Sequence, residues 1–289
     1  MRVVAIFAIL LLCLLPAYAQ LNPVSLNVSK PTELLKGTPK SMTERHFQPL
    51  VRDGVVSKGA ALPLSLITTT YFRTDGQYSD IYEYRLDGGL ASHSAFRYKN
   101  GHLVQRTDSI FSDGSCSVTV RNYVYDYLGR LVSDSRKSAD QKNTMRHQYK
   151  YDEYGHCVEE LTYDHKGVVV DRVQYSFNEQ HNLIDGAGYH ATTMKGSSLR
   201  YVFDTHGRLT SSTLDDDEGF SSRDTNTFDD KGFLIYTQSN SMRDGKKYYD
   251  FAACYQYLDF DQRGNWVLKI VRRGNPMQPV EVVDRTFQY

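Results

Sequence analysis

The stretch "YVYDYLGRLVSD", residues 123 to 134, sets the pattern for most of this chain. It places an aromatic residue, an aspartate, two variable residues and a glycine between two runs of strand-forming residues. The outline returns in five later stretches: "YKYDEYGHCVEE" from 149, "YSFNEQHNLIDG" from 175, "YVFDTHGRLTSS" from 201, "NTFDDKGFLIYT" from 226 and "LDFDQRGNWVLK" from 258. Repetition of this kind indicates an array built from one supersecondary unit.

The motif recurs with a nearly constant period. Its glycine position returns after 26, 26, 26, 25 and 32 residues. The first turn position holds Asp126, Asp152, Asn178, Asp204, Asp229 and Asp261, and the glycine position holds Gly129, Gly155, His181, Gly207, Gly232 and Gly264. A second, looser turn divides each period, which leaves segments of strand length rich in β-branched and aromatic residues.

A turn of the form Asp-x-x-Gly has a direct physical interpretation. The aspartate accepts hydrogen bonds from the backbone ahead of it, and the glycine takes the left-handed conformation of a hairpin bulge. This geometry places Asp126 opposite Arg130 and Tyr125 opposite Leu131. The same count gives five more pairs: Tyr151 with Cys157, Phe177 with Leu183, Phe203 with Leu209, Phe228 with Leu234 and Phe260 with Trp266. The repeated aspartates are therefore interpreted as structural turn residues and not as catalytic carboxylates.

Alternation along the strands predicts two different faces. Tyr123 and Tyr149 fall on one face, whereas Arg136 and Arg146 are expected on the other. We expect the first face to be rich in Tyr and Leu and the second to be polar, as in an antiparallel sheet wetted on one side.

The predicted fold is all-β. It is a long antiparallel meander of β-hairpins with a period of about 26 residues, twisted or curled into an open strip or a partial shell. Residues 1–19 are expected to be a signal peptide, 20–37 a flexible leader and 38–289 the repeat domain. Arg2, the apolar run after it and the small residues up to Ala19 predict export to the periplasm, the cell surface or the medium, with no integral membrane segment left after cleavage.

The stretches "YVYDYLGRLV", "YKYDEYGHCV", "YVFDTHGRLT" and "FDQRGNWVLK" resemble the YD repeats of the Rhs (rearrangement hotspot) family. The resemblance covers residues 65–289 and is clearest over 121–270. It implies a strip of antiparallel hairpins on an exported or surface-displayed protein, with carbohydrate binding or cell contact as the associated functions. The period here is longer than the usual YD repeat, and the chain is too short for the cargo-holding shell of large members. The likeness is closer to small secreted bacterial YD-repeat proteins.

Charge and cysteine content narrow the classes of function. The 34 basic and 34 acidic side chains balance, so no basic surface for nucleic acid is expected. Beyond the signal peptide, Cys116, Cys157 and Cys254 lack metal-ligand spacing and are interpreted as small buried residues. The acidic run 215–218 is interpreted as a solvated turn. The sequence therefore predicts no catalytic residue, no metal site and no cofactor.

The 22 tyrosines are the feature that indicates a function. We expect a secreted, non-enzymatic protein that presents a Tyr-rich β-surface to a glycan or a cell-surface protein, or that has a structural role. The candidate ligand-binding residues lie near the turns and are Tyr127, Tyr154, Arg130, Arg208, Asn265 and Trp266. A long open edge strand would also allow two copies to pair into a dimer.

Two alternatives to this function remain. Strand length and short turns favour an outer-membrane β-barrel protein, whereas charges on both faces and a mean hydropathy of −0.51 oppose it. The second alternative is a hydrolase whose site is assembled from separate turns.

Overall fold

The computed structural model describes residues 35–112, 114–138, 144–178, 183–190, 195–206, 208–274 and 276–289. The expected signal peptide, most of the expected leader, and the turn positions His181 and Gly207 lie outside these residues. Within them, the structure contains no helix of the length and apolarity that a membrane span requires.

The described residues form 19 β-strands joined by short turns. The first nine are β1 (Ser41–Arg52), β2 (Val55–Ala61), β3 (Ile67–Phe72), β4 (Tyr78–Tyr84), β5 (Leu90–Lys99), β6 (His102–Ser112), β7 (Ser115–Tyr125), β8 (Leu131–Ser138) and β9 (Met145–Tyr151). The others are β10 (Cys157–Tyr163), β11 (Val169–Phe177), β12 (Leu183–His190), β13 (Lys195–Phe203), β14 (Leu209–Asp216), β15 (Phe220–Phe228), β16 (Leu234–Arg243), β17 (Lys246–Phe260), β18 (Trp266–Arg273) and β19 (Gln278–Gln288).

From β3 to β19, each strand pairs antiparallel with the next one along the chain. The predicted all-β antiparallel meander is therefore confirmed. Each copy of the motif occupies one hairpin, so a period of about 26 residues corresponds to two strands and two turns.

The first strand joins the two ends of the meander, and we call this junction the seam. Thr43 of β1 lies opposite Thr286 of β19 on one side and opposite Thr69 of β3 on the other. Strand β2 continues along the same side of β1 as β3, with Phe47 opposite Ala61. Strand β1 thus gives both β3 and β19 a second hydrogen-bonded neighbour over part of their length.

The pairing across each motif hairpin follows the turn chemistry. Tyr125 lies opposite Leu131, and the other five predicted pairs also lie opposite each other: Tyr151 with Cys157, Phe177 with Leu183, Phe203 with Leu209, Phe228 with Leu234 and Phe260 with Trp266. The register predicted from the motif is confirmed at every copy.

The hydrogen bonds of the turn account for this register. The Asp126 Oδ1 atom accepts from the backbone N–H groups of Leu128 and Arg130, both at 2.9 Å, and Gly129 takes a φ of 79°. The same backbone bonds are made at four other copies, at Asp152, Asp204, Asp229 and Asp261. In Asp126, partial desolvation raises the pKa, but the hydrogen bonds from Arg130 outweigh it and lower the pKa below its usual value.

The division into a Tyr face and a polar face was wrong in one respect. Arg136 lies directly opposite Arg121, which is two residues from Tyr123 on β7, so Arg136 shares the face of Tyr123. We call this face the tyrosine face. The bulge causes the difference: Tyr125 pairs with Leu131 but Val124 pairs with Ser133, so one extra residue on β8 reverses the alternation beyond it.

The most buried part of the molecule lies beside the seam. Trp266, Val271 and Val283 form a buried cluster with Ala253, and Phe251 and Tyr257 pack against it. The cluster lies on β17, β18 and β19, and β19 pairs with β1 at the seam.

The described cysteines are free thiols with different surroundings. Cys157 is fully buried, and burial raises the pKa of its thiol to about 12. Cys116 is exposed beside the turn between β6 and β7, so the expectation of a buried residue was wrong there. Cys254 is partly buried.

Candidate functional site

Two of the six predicted ligand-binding residues are strongly exposed. Tyr127 has 93% of its surface in solvent and Tyr154 has 69%. Tyr127 lies in the turn between β7 and β8, and Tyr154 lies in the turn between β9 and β10. These turns are at the same end of the sheet and about 10 Å apart, which is two strand spacings. We call these two residues the turn-tyrosine pair.

Arg130 and Arg208 are engaged with their own turns. The Arg130 Nε atom donates to Asp126 Oδ2 at 2.7 Å, and the Arg208 Nε atom donates to Asp204 Oδ2 at 2.6 Å. Arg208 also donates to the backbone oxygen of Asp229 at 3.1 Å. The Arg130 bond thus lies within its own turn, whereas Arg208 also joins its hairpin to the next one.

Asn265 and Trp266 are buried, so the structure contradicts their prediction as exposed binding residues. Asn265 is 4% exposed and exchanges two hydrogen bonds with the backbone of Lys36, at 2.6 and 2.9 Å. Trp266 is 2% exposed and lies beneath the guanidinium of Arg285, 3.6 Å from the ring centroid. The residues that cover them come from the far N-terminal part of the chain and from β19. Lys36, expected in a flexible leader, is therefore part of the folded structure.

A stacking ladder connects successive copies of the motif, and sequence reasoning missed it. In four copies the side chain after the motif glycine is planar and lies near the aromatic residue of the next copy. The ring or guanidinium distances are 4.8 Å for Arg130 with Tyr151, 4.5 Å for His156 with Phe177, 4.9 Å for Arg208 with Phe228 and 5.7 Å for Phe233 with Phe260. The signal was the recurrence of planar side chains at this position. The ladder fixes the turns relative to one another.

The tyrosine face also carries a polar network that the sequence did not predict. The Tyr149 hydroxyl donates to the buried Asp134 carboxylate at 2.5 Å. Across the next strand pair, His147 Nδ1 lies 3.0 Å from Glu160 Oε1, and the Tyr175 hydroxyl donates to Glu160 Oε2 at 3.3 Å. The alternation of His147 and Tyr149 along β9 was a signal that could have indicated it.

The side chains of this network act as hydrogen-bonding groups that are held in place by one another. Burial, followed by the charges of Asp134 and Glu160, raises the pKa of Tyr149, which therefore keeps its proton. Burial lowers the pKa of His147, but the bond to Glu160 outweighs it and raises the pKa above its usual value. Among the described residues, no group of three or more His, Cys, Asp or Glu side chains is arranged to hold a metal ion.

Comparison with known proteins adds little to this geometry. No protein-family model matches the chain, and no curated protein matches it. Among solved structures, it is similar to a porin-like protein from Bacteroides uniformis at 9% sequence identity, with a TM-score of 0.41, over 88% of this chain and 99% of that one. A TM-score at this level carries no argument about fold or function.

Proposed function

We propose that this protein is an exported, non-enzymatic binding module that holds a carbohydrate chain on the turn-tyrosine pair. The observation that carries the proposal is the exposure of two large aromatic side chains on adjacent turns. The turn itself does not need them, because other copies place Thr205 or Asp230 at the position of Tyr127, and Lys231 at the position of Tyr154. Burying the Tyr127 and Tyr154 rings would stabilise the fold, and their exposed positions do not provide that stabilisation.

Carbohydrate fits this surface better than a generic apolar partner. A tyrosine ring offers a flat face to the C–H side of a sugar and a hydroxyl to its oxygens. The two turns are separated by about 10 Å, a distance that an extended glycan can bridge. The turns below them are held by hydrogen bonds to Asp126 and Asp152, so binding costs little backbone ordering.

One polar row across β6 to β9 weighs against the outer-membrane alternative, although Val118, Val120 and Val124 of β7 lie on the same face as that row. A strand that faces lipid presents apolar side chains on one face. Here the face opposite the tyrosines carries a polar row across the four strands, and the tyrosine face carries a charged one. The polar row is Gln105, Asn122, Ser135 and Arg146, and the charged row is Arg106, Arg121 and Arg136.

The hydrolase alternative loses its clearest candidates. The motif carboxylates, such as Asp204, accept hydrogen bonds from their own turn backbone and from the following arginine. A carboxylate held in this way keeps its charge and is not positioned to exchange protons with a substrate.

Binding to neutral and acidic glycans on an array, followed by calorimetry on the hits, tests the proposal. Tyr127→Ala and Tyr154→Ala should each weaken binding about tenfold, equivalent to about 1.4 kcal/mol. Thr205→Ala, which changes the position of Tyr127 in another copy, is the matched control and should bind as the wild type does. Absence of any glycan hit, or full affinity in the double tyrosine variant, would overturn the proposal.

A further inference from the structure

Three arginines lie in a row across neighbouring strands of the tyrosine face. Arg106 of β6 lies opposite Arg121 of β7, and Arg121 lies opposite Arg136 of β8. Adjacent strands are about 4.8 Å apart, so the three side chains leave the sheet side by side; the Arg106 guanidinium lies over the Phe96 ring of β5 at 5.4 Å. We call this set the arginine row. The Arg106 and Arg121 side chains are 33% and 37% exposed, and Arg136 is exposed, so solvent reaches all three.

The row is unfavourable for the protein alone. Like charges directly opposite each other destabilise a sheet. Asp108 pairs with Arg106 at 2.7 Å, and Asp134 lies 4.0 Å from Arg121. Two carboxylates thus face three guanidiniums, and the Tyr149 hydroxyl also uses the Asp134 carboxylate. The region keeps an excess of positive charge.

A buried hydroxyl beside the row gives a second, independent observation. Tyr123 follows Arg121 by two residues on the same face and lies opposite Asp134. It is 6% exposed, and its hydroxyl has no well-formed hydrogen bond among the residues that the structure describes; the Arg121 side chain makes only a weak polar contact with it. A buried hydroxyl without a well-formed hydrogen bond destabilises the fold. The fold therefore carries both a repulsive charge row and a poorly paired hydroxyl at one place.

We propose that the arginine row binds an acidic sugar. A carboxylate or sulfate group accepts paired hydrogen bonds from the guanidiniums, which relieves their repulsion. A neighbouring sugar hydroxyl pairs with the Tyr123 hydroxyl. The hydroxyls of Ser94 and Tyr149, which bond Asp108 and Asp134, give the surroundings the polar character of a sugar site. This site uses none of the residues of the turn-tyrosine pair and does not depend on it.

Isothermal titration calorimetry with three oligosaccharides of equal length tests this proposal. An oligogalacturonate carries carboxylates, a sulfated oligosaccharide carries sulfates, and a malto-oligosaccharide is neutral. We expect an acidic oligosaccharide to bind with an affinity that falls as salt rises. Arg121→Gln and Arg136→Gln should each weaken that binding at least tenfold. The preference between the two acidic ligands identifies the anionic group.

Lys137→Gln is the matched control. Lys137 is adjacent to Arg136 and lies opposite Val120 on the other face of the sheet. Its substitution by Gln removes the same charge as the arginine variants do. Its variant should bind within twofold of the wild type. No binding of either acidic ligand, binding unchanged in both arginine variants, or an equal loss in Lys137→Gln would overturn the proposal.

Thermal unfolding without ligand gives a separate readout. Arg136→Gln should leave the melting temperature unchanged or raise it, because it removes a like-charge contact. A clear fall in melting temperature would instead assign Arg136 a structural role and overturn the proposal. Glycans that bind to the turn-tyrosine pair should keep their affinity in the arginine variants, so the two proposed sites can fail separately.

Discussion

A single carboxylate organises each motif turn at the scale of the residue. In the fourth copy, Asp204 accepts the backbone N–H groups of His206 and Arg208 through Oδ1 and the Arg208 guanidinium through Oδ2. These bonds use the carboxylate's acceptor positions within the turn. This explains why the position holds Asp or Asn and why no catalytic role is needed to account for its recurrence.

Substitution at Asp204 should show this structural role. Asp204→Ala removes all three bonds, and we expect it to lower the free energy of unfolding by about 1–2 kcal/mol in urea denaturation. Asp204→Asn keeps an acceptor for the backbone and should cost less, in line with Asn178 at the same position in another copy. Thr205→Ala in the same turn is the control and should have no effect. Equal losses in the Ala and Asn variants would contradict the turn assignment.

The repeat is held together by stacking at the scale of the strand pair. Tyr151 receives the Arg130 guanidinium on its ring at 4.8 Å, and its hydroxyl donates to the backbone oxygen of Leu131 at 2.7 Å. The Tyr98 hydroxyl makes the same bond to Tyr78, 2.8 Å away, two hairpins earlier. The aromatic position thus joins one hairpin to the previous one, in addition to pairing across its own hairpin.

Two variants of Tyr151 separate these contributions. Tyr151→Phe removes only the hydroxyl bond and should lower the free energy of unfolding by about 1 kcal/mol. Tyr151→Leu also removes the ring beneath Arg130 and should cost about 0.5–1 kcal/mol more. Chemical denaturation measures both. If the two variants lose the same stability, the ring contact with Arg130 does not stabilise the repeat.

The seam determines the form of the whole molecule. On the tyrosine face, His46 of β1 lies between Glu281, to which it hydrogen-bonds, and Glu44, 3.4 Å away. Arg285 of β19 donates to Glu44 at 2.7 Å. Hydrogen bonds from Glu281 and then Glu44 raise the pKa of His46 to about 9. Burial raises the pKa of Glu44, but His46 and Arg285 outweigh it and lower the pKa to about 2.

The seam should make stability depend on pH. Because the pKa of His46 is raised from 6.5, its contribution is complete below pH 6.5 and is lost as the pH rises towards 9. The contribution of Glu44 is present above pH 4.5 and is lost as the pH falls towards 2. We expect the free energy of unfolding to fall by about 1–3 kcal/mol between pH 6.5 and 9.

Urea unfolding of the wild type and of His46→Gln across this pH range measures this fall. His165→Gln, in an exposed turn, is the control. A pH dependence that persists in His46→Gln would contradict this assignment.

The motif determined a large part of the fold. The Asp-x-x-Gly spacing sets the hairpin bulge, and the bulge sets which residues lie opposite each other, so all six aromatic pairs followed from local chemistry. The exposed Tyr127 and Tyr154 were also predictable, because the tips of such turns point into solvent. The side of the sheet on which Arg136 lies could not be predicted in this way, because a one-residue bulge reverses the alternation.

What the sequence by itself determined is the repeating unit, since turn geometry and hairpin register depend on residues within a few positions of one another. Only the tertiary structure decided which units meet. Asn265 is buried because Lys36, 229 residues away, lies on it, and the seam exists because β1 pairs with β19. The arginine row likewise requires the register of three strands at once. Contacts between distant segments depend on how twist and curl accumulate over the whole sheet, and no local pattern encodes that sum.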